Sequence, residues 1–474
     1  MRDIGTRWAL LFAAALAGGC TEEPVEPTSA PGPEPAVKKT LPSIDAQSKA
    51  RYFGAHQDLL ERIRKAHSTA GAAGTKRKGR TRNLQLLAHV PLEGLNGDVW
   101  AHKGFAYVGT WIFGGPPDFS FCPAHGVRIV DVSSRASPTL VGAVAAIPGT
   151  SQEDVVVTRI NTSFFHGDLL VTGIQSCAGD TFGGIDIWNV TNPRSPEHLA
   201  FWPVSSVLPS EGGAGGVHEL FLFQRGNRAY VTAAVPFSEF SPSGGGGDFR
   251  LVDVTDPRNP VQVGDWGAFT DGGLAPEPGQ DFFAHSATAD QTGRTAIVSY
   301  WDAGAIFLDI SDPSNPTFIG RTIYPAGSDG DTHSIWLARG GNLLLTADED
   351  FNPASGGTWG FLRLWDVKNT AAPVELGRFG TANALNPPGS PPNFDCCFSI
   401  HNPFVRGSTA YLSWYSDGIR VVDISRPSAP REIASFVPDY VFPFVWGVYV
   451  DRDLIFASDF ETGLYVLKHT RGKV

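Results

Sequence analysis

Four of the twelve histidines stand in short motifs of similar build: VHEL at His218, AHSA at His285, THSI at His333 and IHNP at His401. Imidazole binds Zn, Mn, Fe or Cu, and without a metal it serves as a general base. Carboxylates complete such a donor set, whereas cages of oxygen alone suit Ca and Mg. Acidic residues recur in a second group of segments: Asp302 in SYWDAG, Asp348-Glu349-Asp350 in TADEDF, Asp417 in SWYSDG and Asp459 in ASDF. These segments are far apart in the chain, so they make a site only if the fold gathers them.

A repeat supplies such a fold. It reads GVRIVDVSSRASPTLVG (126–142), GIDIWNVTNPRSPEHLA (184–200), DFRLVDVTDPRNPVQVG (248–264), AIFLDISDPSNPTFIG (305–320), FLRLWDVKNTAAPVELG (361–377) and GIRVVDISRPSAPREIA (418–434), with a shortened seventh copy GLYVLKHTRG (463–472). Its key position is Asp131, Asn189, Asp253, Asp309, Asp366, Asp423 and Leu467. The first six recur at intervals of 56 to 64 residues, which marks a repeat architecture. Each copy is a β-rich run, a turn with Asp and Pro, and a second apolar run. With two more strands upstream, each unit has four strands, and seven units predict an all-β, seven-bladed β-propeller. The last unit lacks a fourth strand, and Leu84–Val90 (LQLLAHV) is expected to supply it and close the ring.

Alignment of the units at the first, axis-lining strand gives Asp98, Asp154, His218, His285, His333, His401 and Trp446. The second strand runs back, so its end (Asp302, Asp348, Glu349, Asp417, Asp459) falls on the same face. The expectation is a histidine-lined channel mouth, with Asp98, Asp154 and those acids as possible partners. Three readings of it stand side by side: histidines that tie blades together by hydrogen bonds, a site for a divalent transition metal, and metal-free binding of a ligand. Trp111, Trp301, Trp414, Tyr415, Trp446 and Phe351 fall near the same mouth, either as a stacking platform for a sugar or aromatic ligand or as packing between blades. The repeat Asp residues read as turn-formers.

The repeats resemble the LVIVD repeat family, through Arg128-Ile129-Val130-Asp131 and Arg420-Val421-Val422-Asp423. The resemblance covers about residues 84–468. It implies a bacterial or archaeal cell-surface propeller and no particular reaction.

The N-terminal segment points the same way. Residues 1–20 carry Arg2 and Arg7, a short apolar core from Trp8 to Leu16, and Ala17-Gly18-Gly19-Cys20. This resembles a bacterial lipobox, which implies cleavage before Cys20, acylation there and anchoring to a membrane. Residues 21–42 are rich in Pro, Glu, Ser and Thr and are expected to be a disordered tether. Residues 43–82 are expected to form a short helix and a basic linker, and residues 83–474 the propeller. Export permits disulfides. Cys122 and Cys177 occupy corresponding loops of the first two units and make a plausible pair, while Cys396 and Cys397 are adjacent, open to a vicinal disulfide, two thiols or a metal ligand.

A net charge of -11 argues against a nucleic-acid partner. No phosphate-binding loop, nucleophile elbow or Cys-x-x-Cys pair occurs, so the sequence points to binding of a protein, sugar or small molecule. A metal-dependent hydrolase or oxidase and a purely structural envelope protein are the alternatives.

Overall fold

The computed structural model describes residues 79–470, apart from 93, 113–121, 178–181, 205–214, 242–244, 278–279, 326–327, 329, 351–356, 387–396 and 441. The signal segment with Cys20, the tether and the expected helix therefore lie outside the described residues, as do Phe351 and Cys396. No helix among the described residues is long and apolar enough to cross a membrane.

Seven antiparallel sheets, five of four strands and two of five, form the seven blades. The inner strands are Asn96–His102, Val155–Asn161, Leu220–Arg225, Ser286–Ala289, Thr332–Ala338, Pro403–Arg406 and Val445–Asp451, in blades one to seven. Closure occurs where the sequence places it: Leu84–Val90 is the outer strand of blade seven, antiparallel to Gly463–His469. Leu84, Val90 and Leu467 are buried there, so the strand covers an edge and an apolar face together. One difference concerns the basic linker. Arg80–Arg82 is a strand, added outside Arg431–Val437 as a fifth strand of blade six.

The repeat signature has one local cause in the first six blades. The side chain at the key position accepts the N–H two residues on: Asp131 from Ser133, Asn189 from Thr191, Asp253 from Thr255, Asp309 from Ser311, Asp366 from Lys368 and Asp423 from Ser425. These Asx turns cap the third strand and start the return. In all seven blades the pairing of third and fourth strands slips by a residue near this point, for example between Ile129 and Val130 and between Val421 and Val422. Such bulges sharpen the twist of each blade. Apolar clusters fill the spaces between blades. Val156, Val171 and Ile187 of blade two meet Leu222, Val231 and Val252 of blade three, and Val99, Val108 and Val130 of blade one meet Phe456, Leu464 and Val466 of blade seven.

Candidate metal centre

The residues that matter most stand just where each inner strand begins. At His333 and at Trp446 the ladder to the second strand skips a residue, so these side chains leave the sheet and turn to the axis. Glycines let neighbouring blades come close enough for this. A Cβ on Gly109 would lie 1.9 Å from Glu153 O, and one on Gly173 would lie 2.4 Å from His218 O.

The four histidines meet. Ring centroids are 4.1 Å apart for His218 and His285, 3.8 Å for His285 and His333, and 4.3 Å for His333 and His401. Trp446 continues the ring at 4.3 Å from His401, and Trp111 lies 4.7 Å from Trp446. Glu153 closes it, accepting from Trp446 Nε1 at 3.0 Å and lying 2.8 Å from His218 Nδ1.

Three sequence expectations are corrected here. First, the imidazoles do not line an open mouth; all four are at most 2 % exposed. Second, Asp98 and Asp154 are not at the histidine level. Gly97 and Glu153 are, and the two aspartates sit one residue further along the channel, where Asp98 accepts from Asn402 Nδ2 at 2.8 Å and Asp154 from Leu220 N at 2.8 Å. Third, among the described residues the second-strand acid seen to reach a histidine is Glu349, with Oε2 3.3 Å from His333 Nε2. Asp348 instead accepts from Arg363 Nε at 2.6 Å. Asp302 accepts the N–H of Asp281 and Gly330, Asp417 accepts from Asn383, and Asp459 accepts the N–H of Phe444 and Thr462. These four acids organise loops. Trp111, Trp301, Trp414, Tyr415 and Trp446 are buried against the ring or between blades, so they pack and do not form an open platform.

Hydrogen bonds assign the imidazole nitrogens distinct jobs. His218 Nδ1 faces two oxygens, Gln175 Oε1 at 2.7 Å and Glu153 Oε2, so it donates, and its Nε2 accepts across 2.7 Å from His285 Nε2. Both nitrogens of His218 are thereby engaged, which makes it a support. Burial pushes its pKa down to about 3, so it stays neutral. His285, donating through Nε2, presents its Nδ1 lone pair 3.8 Å from Glu219 Oε1. His401 Nδ1 donates to Trp446 O at 2.7 Å, which places the lone pair on Nε2, on the side of His333. Tyr415 OH donates to Glu349 Oε1.

Two groups of three buried side chains follow: His333, Glu349 and His401, and Glu219, His285 and His333. In each, one ligand atom per residue lies within 4.8 Å of the others. Burial holds Glu349, Glu219 and Glu153 well above the ordinary carboxylate range, and Glu219 is raised further by facing Asp154, Asp98 and Glu153. Burial also lifts Asp154, to about 7. A cation among these groups would replace the protons that burial retains.

A disulfide joins Cys122 to Cys177. Cys397 is buried, with its N–H on Ser416 Oγ at 3.0 Å.

Glu153, Glu219 and Gln175 escaped the sequence reading. Glu153 was hidden by a one-residue slip: registering Val155 on Leu220 puts Glu153 over His218 and Asp154 over Glu219.

The LVIVD repeat model matches residues 124–146, 293–323 and 404–437, the turns of blades one, four and six. No curated protein matches the sequence. Among solved structures, the chain is similar to Chaetomium thermophilum Raptor, with a TM-score of 0.50, 13% identity, 83% of this chain and 30% of that one covered. It is also similar to the β-propeller domain of Myceliophteria thermophila Cps50 (Swd1), with a TM-score of 0.50, 11% identity, and 82% and 100% covered. At these identities the likeness is one of fold alone.

Proposed function

We propose that this LVIVD-repeat propeller is an exported, membrane-anchored protein whose axial channel binds a divalent transition-metal ion on His333, His401 and Glu349. The observation that carries the reading is the buried convergence of these three ligand atoms within 4.8 Å. Two imidazoles and one carboxylate are a donor set for Zn or Fe, with coordination positions left for water or a ligand. The Nδ1–H of His401 on a backbone carbonyl is the support that a metal-bound histidine usually has. Tyr415 on Glu349 supports the carboxylate in the same way. Binding is favoured over catalysis because the described residues present no activated nucleophile beside this group.

Export is supported by the composition of residues 1–20 and by the Cys122–Cys177 disulfide, which fits an oxidising compartment. Cys20→Ser is expected to release the protein from the membrane fraction; retention there would contradict the anchor.

Elemental analysis by plasma mass spectrometry tests the metal. The full chain, purified without a metal-affinity tag, is expected to carry close to one transition-metal ion per chain. The His333→Ala/His401→Ala variant, folded by circular dichroism, is expected to carry about a tenth of that or less. Equal content in both, or none in either after incubation with Zn, Mn, Fe and Cu salts, would overturn the assignment.

A further inference from the structure

The channel beyond the histidines has a second character. A cavity of about 90 Å³ runs along it, lined by all seven inner strands. Its inner level carries Asp98, Asp154 and Glu219, with Ser286, Ser334 and Asn402 completing the circle. Two residues further along the same strands stand Trp100, Phe221, Trp336, Phe404 and Tyr449. Side chains two apart in a strand share a face, so the aromatic level lies about 7 Å from the carboxylate level.

The aromatic side chains form a collar that is open at Thr288, between Phe221 and Trp336. Ring centroids are 6.4 Å apart for Phe221 and Trp100, 4.4 Å for Trp100 and Tyr449, 4.6 Å for Tyr449 and Phe404, and 4.6 Å for Phe404 and Trp336. Most of the collar is half-buried, in contrast with the sealed histidine end. Among the described residues no lysine or arginine lines the cavity, so nothing basic among them offsets the three acids. Glu219 is 8 % exposed, and its Oε1 has no hydrogen-bond partner among the described residues, its nearest basic neighbour being His285 Nδ1 at 3.8 Å.

We infer that this cavity is a binding site for a linear primary alkylammonium ion, with the stem in the aromatic collar and the ammonium group among Asp98, Asp154 and Glu219. Three N–H donors match carboxylate and hydroxyl acceptors arranged in a circle, and aromatic faces attract the cation on its way in. A neutral alcohol of the same length fills the collar but brings no positive charge to the acidic level. The site uses none of the proposed metal ligands His333, His401 and Glu349, although Glu219 and Asp98 both interact electrostatically with Glu349.

Isothermal titration calorimetry of the full chain with pentylammonium, and with 1-pentanol as its uncharged counterpart, tests the inference. Pentylammonium is expected to bind at least about tenfold more tightly than pentanol. Asp154→Asn is expected to remove most of that preference. Trp336→Ala, which leaves the carboxylates in place, is expected to weaken both probes. Thermal melts establish that the variants are folded, and Asp98→Asn serves where Asp154→Asn is not. Equal affinity for the two probes, no heat from pentylammonium at millimolar concentration, or an unchanged preference in a folded Asp→Asn variant would overturn it.

Discussion

Two rings of acidic residues, one at the rim of the propeller and one at its axis, use the same functional group in opposite ways. At the rim, Asp131, Asp309, Asp366 and Asp423 cap turns, and hydrogen bonds from their own turns hold them below the ordinary carboxylate range. At the axis, burial holds Asp98, Asp154, Glu219 and Glu349 above it. The rim repeats because six of the seven blades use the same turn. The axis varies from blade to blade, through Gly97, Glu153, four histidines and Trp446, because seven inner strands meet there and each supplies a different part.

The largest effect is expected where the rim pattern breaks, at Leu467, which stands in place of the turn Asp and is fully buried against the closing strand. Leu467→Ala should cost about 2–5 kcal/mol of unfolding free energy, measured by denaturant titration. A cost under about 1 kcal/mol would mean that closure does not depend on this contact.

Next comes the axis. Glu349→Gln should weaken metal binding by about 100-fold or more in competition with a chelator, with little change in fold. Unchanged affinity would move the metal to the Glu219 group.

The pH dependence separates the rings in sign. The folded pKa of Asp154, about 7, lies above its ordinary value of 3.8. The metal-free native state therefore retains a proton that the unfolded chain releases, and stability from this group is full below about pH 4 and lost as pH rises through 7. The limiting slope is about 1.4 kcal/mol per pH unit. Asp154→Asn should flatten the stability profile of the metal-free protein across that window, read from melts between pH 4 and 8. For Asp309 the sign reverses: its folded value is depressed, so its contribution is present at neutral pH and lost on acidification. The smallest effect belongs to it. Asp309→Ala should cost under about 1 kcal/mol, because its Asx turn is solvent-exposed, and should leave metal content unchanged. A loss of metal in this variant would blur the distinction between rim and axis.

The rim was legible in the sequence because its turns depend on short-range chemistry. The β-rich run and the turn with Asp or Asn and a Pro beyond reveal six hairpins, and with the shortened copy at Leu467 they give seven blades and the need for Leu84–Val90. The axis was legible only in part. The histidines stood out as a repeated type, but Glu153 did not, since its place in the ring depends on a one-residue register. Asp302, Asp348, Asp417 and Asp459 shared the expected face yet turned to nearby backbone groups, to Arg363 or to Asn383, a choice that side-chain direction makes and sequence spacing does not. The aromatic collar had a readable signal three residues after the ring position, in His218-x-x-Phe221, His333-x-x-Trp336, His401-x-x-Phe404 and Trp446-x-x-Tyr449, but its meaning depends on the cavity that it rings.

The central claim is that the axial histidines hold a metal, and anomalous diffraction tests it most directly. Crystals of the full chain soaked in zinc, with data collected on both sides of the zinc edge, should show one strong anomalous peak about 2 Å from His401 Nε2, a ring nitrogen of His333 and an oxygen of Glu349. A peak only at surface residues, or none at the axis at full soak, would contradict the account and leave the ring as hydrogen-bonded packing between blades.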